Sequence, residues 1–306
     1  MGAGKSFSRY LNRHKLHAVA LSEEQQNERI LFDIGETRLD ITEAHALITL
    51  DPFTIAVNAS ITDFRSNANP TLLVFDDGII AGKLPLRQVR TEHAGNLVLH
   101  IYESDFPAAE FSFLQRIWYT WLLSIKNKTN RRARHFVVPP EELLKLFVYT
   151  LKPRPVYLVS VAHQNSFDVF PIDIFGQVAD DLRVISVRTT SPAIAHILKT
   201  GSLCAASAPF DRKETVYRFG GHHAGGVLPE ALHDVRFMES PLLRLPVPDF
   251  AVSVQELHVR HSFTQGIHTQ FVAQVINQYR LSHAPLLAHT PWFNEKYFQG
   301  KFDGIR

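Results

Sequence analysis

The chain has 306 residues, 45% of them apolar and 20% charged, the balance of a globular protein with room for two domains and enough chain to bury a core unaided. Its 32 Lys and Arg exceed its 30 Asp and Glu by only two, so net charge makes no case for nucleic acid. The single cysteine, Cys204, excludes an intrachain disulfide and a metal site built on several thiolates. No membrane span is expected, because no run reaches the roughly 18 apolar residues that one needs. The N-terminus also lacks the apolar core of a secretory signal, which points to a cytoplasmic protein.

Gly2-Ala3-Gly4-Lys5-Ser6 imitates the end of a phosphate-binding loop but lacks the preceding strand and the first glycine. Met1-Gly2 with Ser6 fits an acylation pattern; a basic tail is the simpler reading. Arg29–Ile34, Ala46–Leu50, Thr71–Phe75, Ile79–Leu84 and Leu97–Tyr102 then read as short strands, the third and fourth joined across Asp76-Asp77-Gly78. They predict a small antiparallel sheet with no visible chemistry. From Ala109, Phe111, Leu114, Trp118, Trp121, Leu122 and Ile125 fall at spacings of three and four, an apolar stripe that packs on a neighbour more readily than on a membrane surface. The basic run KNKTNRRARH reads as a linker. Residues 1–130 are therefore expected to form a β-rich domain with a closing helix and basic linker, and residues 136–306 a second domain.

In the second part, PPEELLKLFVYTL predicts a short helix. Val156–Ala162, Val169–Ile174, Leu182–Val187, Phe250–Val259 and Thr269–Ile276 predict strands. Ser191–Thr200 predicts a helix, with Ser191 at the N-cap, Pro192 in the first turn and Gly201 just past the end. Many strands with few helices imply a barrel, so the chain is expected to be mainly β. Between strand and helix, Ser186 to Pro192 offers a cation, four hydroxyls and a helix start, the donors that a phosphate wants. The plainer alternative is that Ser191 only caps the helix while Arg188 is solvated. His268, in a hairpin turn, reads as exposed or as facing a substrate. His222 and His223 are adjacent and cannot easily share one ion, so Gly220–Gly226 reads as a mobile loop near the active-site mouth. Cys204 reads as a buried filler, and Tyr217 and Phe219 as pocket shielding or core.

Three blocks occur in an order that resembles the flavin reductase-like family of FMN-binding split β-barrels: PRPVYLVSVAHQNSFDVFPIDIFG, LRVISVRTTSPAIAHILKTGSLCAAS and FAVSVQELHVRHSFTQGIHTQFVAQVINQYR. The resemblance implies a split barrel, preceded here by the small antiparallel β domain, and a homodimer whose flavin pocket is completed by the second subunit. It implies FMN as cofactor and NAD(P)H as hydride donor, with no separate G-x-G-x-x-G dinucleotide fold. Carried onto this chain, it puts Pro171, Ile172, Asp173 and Ile174 along the flavin ring. Ser186, Arg188, Thr189, Thr190, Ser191 and Ser207 become further flavin-binding residues, and His268 stands on the substrate side. Asp173, Ala193 and Ala206 depart from the family's usual residues. A carboxylate near an anionic flavin is repelled unless it pairs with a cation such as Arg154 or Arg188, or bonds the ribityl hydroxyls. The expected function is an FMN-binding, NAD(P)H-dependent oxidoreductase. The alternatives are a non-enzymatic flavin-binding or interaction protein with an altered site, and a partner- or ligand-binding N-terminal module for which the barrel is a dimerising base.

Overall fold

The computed structural model describes residues 16–22, 29–35, 37–60, 69–76, 78–104, 113–129, 138–163, 166–220 and 234–291. The Gly2–Ser6 motif, Phe111, much of the basic linker and residues 221–226 of the glycine-rich loop lie outside them. The chain runs through β1 (Leu16–Leu21), β2 (Arg29–Ile34), β3 (Thr37–Asp40), β4 (His45–Leu50), β5 (Phe53–Asn58), β6 (Thr71–Asp76), β7 (Ile79–Pro85), β8 (Arg87–Ala94) and β9 (Leu97–Glu103) to helices α1 (Phe113–Thr129) and α2 (Pro140–Tyr149). It continues through β10 (Arg154–Pro155), β11 (Tyr157–His163), β12 (Ser166–Ile172), β13 (Phe175–Ala179), β14 (Leu182–Arg188), α3 (Ala193–Thr200), β15 (Ser202–Ser207) and α4 (Lys213–Gly220). The last strands are β16 (Phe237–Glu239), β17 (Pro246–Pro248), β18 (Ser253–Gln265), β19 (His268–Arg280) and β20 (Leu286–Pro291).

Seven strands of the C-terminal half form one antiparallel sheet in the order β12-β11-β15-β18-β19-β14-β13. Its two edge strands, β12 and β13, are joined only by Asp173 and Ile174. Three peptide units reach no further than about 11 Å, so the sheet must curl until its edges nearly meet. Tyr157 and Phe175 stack across this closure, ring centroids 4.2 Å apart. A wall opened along one seam is a split barrel.

The N-terminal strands form two four-stranded antiparallel sheets, β3-β2-β6-β7 and β4-β5-β9-β8. The hairpin expected across Gly78 is present, with Gly78 at a positive φ of 79° that favours glycine. In β4 and β5, side chains alternate between two cores, as a strand's two-residue period requires. Leu47, Phe53, Ile55 and Val57 point into a core with α2 and the β2–β6 strands. Ala46, Ile48 and Ala56 point the other way, onto Val178, Val184 and Val272 of the barrel. Both faces are therefore buried.

Helix α2 carries Pro at its start and Glu141 and Glu142 in its first turn, which suits the positive helix N-terminus. The sequence assigns it to the second half, yet it packs on the N-terminal sheets. Phe53 N–H donates to Glu142 Oε2 (2.6 Å), and Tyr149 Oη lies 3.0 Å from His45 Nε2. Strand β1 pairs along its length with β20, so the first and last described strands are neighbours.

Candidate flavin site

A cavity of about 560 Å³ opens at the seam of the barrel, within the size range of sites for small molecules and cofactors. Its walls come from the end of β12 and the seam link (Asp168, Phe170 to Ile174), from β14 and the turn beyond it (Ser186, Val187, Arg188, Thr190, Ser191, Pro192), and from Gly220, His268 and Leu50. Among the flavin-binding candidates, Pro171, Ile172, Asp173, Ile174, Ser186, Arg188, Thr190 and Ser191 line the cavity, together with His268. Two do not. Thr189 gives its backbone N–H and its hydroxyl to the Ile267 carbonyl, at 3.0 and 3.3 Å. The Ser207 hydroxyl is buried and satisfied by Ser253, 2.8 Å from its Oγ.

The turn after β14 is built as a polar ledge. Arg188, Thr189 and Thr190 are exposed and Ser191 half-buried. Ser191 is not the side-chain N-cap expected from the sequence: α3 begins at Ala193, no side chain caps it, and the Ser191 carbonyl accepts from Ile194 N–H (3.2 Å). Its hydroxyl is thereby left on the cavity wall. The helix ends at Gly201, which takes the left-handed conformation at φ 63° as expected. Arg188 forms no ion pair among the described residues. Ser186 Oγ is buried without a hydrogen-bond partner among them. A buried hydroxyl left unpaired is costly, and a polar ligand at the wall it lines would satisfy it.

Asp173 is held by a chain of polar groups. Arg154 Nη2 donates to Asp173 Oδ2 (3.0 Å), and His289 Nδ1 lies 2.9 Å from the same oxygen. With its Nδ1 proton given to the carboxylate, His289 accepts from the Tyr217 hydroxyl through Nε2 (3.0 Å). Burial alone would raise the Asp173 pKa. The Arg154 charge and the His289 hydrogen bond outweigh it and hold the carboxyl well below the ordinary range. Its repulsion of an anionic ligand is thus largely offset by Arg154. Ala193 and Ala206 are core residues and line no part of the cavity.

His268 is 3% exposed, against the expectation of an exposed turn histidine. The β18–β19 hairpin does turn there, but β4 lies over it, and His268 Nδ1 sits 3.0 Å from Thr49 Oγ1. Burial, with the charge of Arg188 nearby, pushes its pKa down to about 4, so it is neutral at pH 7. Cys204 is fully buried, and burial raises its thiol to about 12, consistent with a filler. Phe219 is core and Tyr217 half-exposed. No cluster of three metal-ligating side chains occurs among the described residues, and no helix there is long and apolar enough to cross a membrane.

Sequence reasoning missed Leu50, Asp168 and His289; it read Gly220 only as part of a loop at the active-site mouth and Tyr217 only as pocket shielding or core, without the hydrogen bond to His289. For Leu50 a signal existed: in ALITL and FTIAVN, apolar side chains occupy both alternating positions, the mark of a strand buried on two faces.

The closed sheet with a cavity at its seam, a cationic ledge on one wall and an apolar strand on another is a split barrel carrying a site of cofactor size. Residues 150–301 match the flavin reductase like domain family, and the C-terminal half of the chain is a flavin reductase-like split barrel. Among solved structures, the chain is similar to an FMN-binding protein from Thermus thermophilus with bound p-hydroxybenzaldehyde (20% identity, 47% of this chain and 84% of that one, TM-score 0.41). It is also similar to the NADH:FAD oxidoreductase SgcE6 of Streptomyces globisporus C-1027 (18%, 48% and 87%, TM-score 0.41), and to nitrilotriacetate monooxygenase component B from Bacillus cereus (16%, 44% and 76%, TM-score 0.39). No curated protein matches the chain.

Proposed function

We propose that the protein is an FMN-binding oxidoreductase in which NAD(P)H reduces the flavin by hydride transfer. The observation that carries this reading is the ledge of Arg188, Thr190 and Ser191, with the unpartnered hydroxyl of Ser186, on the cavity wall of a flavin reductase-like domain. These groups suit the phosphate: Arg188 as a charged, bidentate donor and the hydroxyls beside it. Phe170, Ile172 and Ile174 offer apolar surface to a ring and keep water from it. FMN, when bound, supplies the two-electron chemistry, taking a hydride from a nicotinamide donor. His268, neutral at pH 7, gives the cavity a ring nitrogen that can hold a hydrogen bond without adding charge. Asp173, already neutralised by Arg154, leaves no charge argument for the non-enzymatic alternative. The homodimer with a shared pocket stays an implication of the resemblance, and Leu50 of the same chain already stands on the cavity wall.

Titration of the protein with FMN, followed by flavin fluorescence, tests the binding. NADH and NADPH oxidation by the FMN-loaded protein then tests the reaction. Absence of binding up to roughly millimolar FMN, an affinity of only about 4 kcal/mol, would overturn the reading. Binding without NAD(P)H oxidation would reduce it to a flavin-binding protein.

A further inference from the structure

The corner between β4 and β5 belongs to the N-terminal sheets, yet it reaches the cavity. Leu50 lines it. Thr49, fully buried, meets His268 Nδ1 at 3.0 Å. One turn of the ladder further along, Gln270 Nε2 donates to the Ile48 carbonyl (2.7 Å), and Gln270 too is fully buried. The contact is close enough to dictate sequence on the barrel side. Gly266 stands at φ 55° where any Cβ would collide with the Asp51 carbonyl, and a Cβ at Gly176 would run into Ala46. Behind the corner, Ala46, Ile48, Ala56, Leu97, Leu99 and Ile101 share a dry core with barrel residues, and at the rim Gln265 Nε2 donates to Glu103 Oε1 (3.1 Å). A surface with a dry core, buried hydrogen bonds and glycines fitted to it is a permanent interface.

We propose that the Thr49–Leu50–Asp51 corner is a built-in wall of the flavin cavity, completing it within one chain: Leu50 limits what fits beside the flavin, and Thr49 positions His268. This rests on the flavin reading above, and it gives the N-terminal sheets a role at the site. Leu50 is the specificity residue because it is the apolar residue of the corner on the cavity wall, packed at the edge of the core that Ile174, also on that wall, shares. Thr49 acts through His268. Its hydroxyl engages Nδ1, fixes the ring plane, and leaves Nε2 as the nitrogen open to other partners.

A single engineered thiol tests the wall. Cys204 is buried, so Leu50→Cys introduces one accessible cysteine by a mild change in a half-buried position. Its reaction with a maleimide dye is followed with and without FMN, alongside sedimentation at the same dilution. The expected result is that FMN at ten times its dissociation constant slows labelling about tenfold, that the dye-labelled chain no longer binds FMN, and that protection persists where the chain sediments as a 34.7 kDa monomer. Equal labelling rates while FMN fluorescence is quenched would overturn the wall and leave the flavin reading standing. Protection confined to dimers would overturn completion within one chain. Failure of the unmodified protein to quench FMN at all would instead remove the flavin reading, and this inference with it. For Thr49, the valine variant should alter the His268 imidazole signals in NMR spectra of the FMN-free protein, and Thr49→Ser should restore them. Unchanged signals in Thr49→Val would refute the positioning role independently of any flavin.

Discussion

The two polar regions of the cavity wall treat charge in opposite ways. On the ledge after β14, Arg188 and Thr190 stand in solvent, and Arg188 forms no ion pair among the described residues. At the seam, Asp173 keeps a quarter of its side-chain exposure and is paired with Arg154, itself one-tenth exposed, and with His289. Water solvates an exposed guanidinium adequately, so holding it ready for a ligand costs little. A mostly buried carboxylate has no such substitute and must arrive with its own partners. The comparison separates groups kept open for a ligand from groups closed on each other, although both line one cavity.

The largest expected effect is on the closed side. Arg154→Met leaves Asp173 with its burial and without its main counter-charge, a change that costs about 3–5 kcal/mol for a buried pair. Urea unfolding at pH 7 should show it as a lowered midpoint, partly recovered in the double variant with Asp173→Asn. A loss no greater than that of Arg188→Met would break the distinction between the two walls.

Between these extremes lie buried histidines that are neutral rather than paired. Burial pushes both His45 and His268 down from 6.5 to about 4. Below about pH 6.5 the unfolded chain takes up a proton at each site, whereas the folded chain does not until about pH 4. Stability should therefore be full above pH 6.5 and fall as pH drops toward 4, by about 1.4 kcal/mol per pH unit for each histidine. Below about pH 4, protonation of Asp173, whose folded pKa is depressed, adds a further loss. Urea midpoints between pH 7 and 4.5 measure the slope. His268→Gln should remove its own share of the slope, about 1.4 kcal/mol per pH unit, and an unchanged slope would place His268 in water rather than under β4.

On the open side, Arg188→Ala should weaken FMN by about 1.5–3 kcal/mol, the value of a charged hydrogen bond. Riboflavin, which lacks the phosphate, should bind as before, and the urea midpoint should not move. Equal losses for both flavins would show that Arg188 supports the ring or the fold.

The open side was the legible one. The strand Leu182–Val187, the Arg-Thr-Thr-Ser turn and the helix ending at Gly201 are adjacent in sequence, and local signals such as apolar runs and glycine punctuation mark them. Even there, the part given to Ser191 depended on where the helix starts, and a shift to Ala193 turned an expected cap into a wall residue. Thr189 and Ser207 fell away because strand pairing directs their hydroxyls to Ile267 and Ser253. The closed side and the corner were hidden for a different reason. Tyr217 and His289 are 72 residues apart and Thr49 and His268 are 219 apart, contacts fixed by packing between sheets, which no local pattern records. The burial of His268 follows from β4, and the one trace of it in the sequence is the doubly apolar run of β4 and β5.

The smallest effect is expected at the outer end of the closed chain. Tyr217 is 46% exposed, and its hydroxyl, raised by burial to about 12, stays protonated across the neutral range and remains a donor to His289. Tyr217→Phe removes that one hydrogen bond and keeps the ring, which stacks nearly parallel to His289 with centroids 6.0 Å apart. Because the site is half open, water can take the place of the hydroxyl at Nε2, so the loss should fall at or below the usual 0.5–1.5 kcal/mol. The Arg154–Asp173 pair lies behind His289 and does not depend on the tyrosine for its counter-charge. Urea midpoints and FMN affinity of Tyr217→Phe should therefore stay close to those of the unmodified protein. A loss approaching that of Arg154→Met would mean that the carboxylate is held through the whole Tyr217–His289 chain, and that the closed side extends to the surface of the molecule.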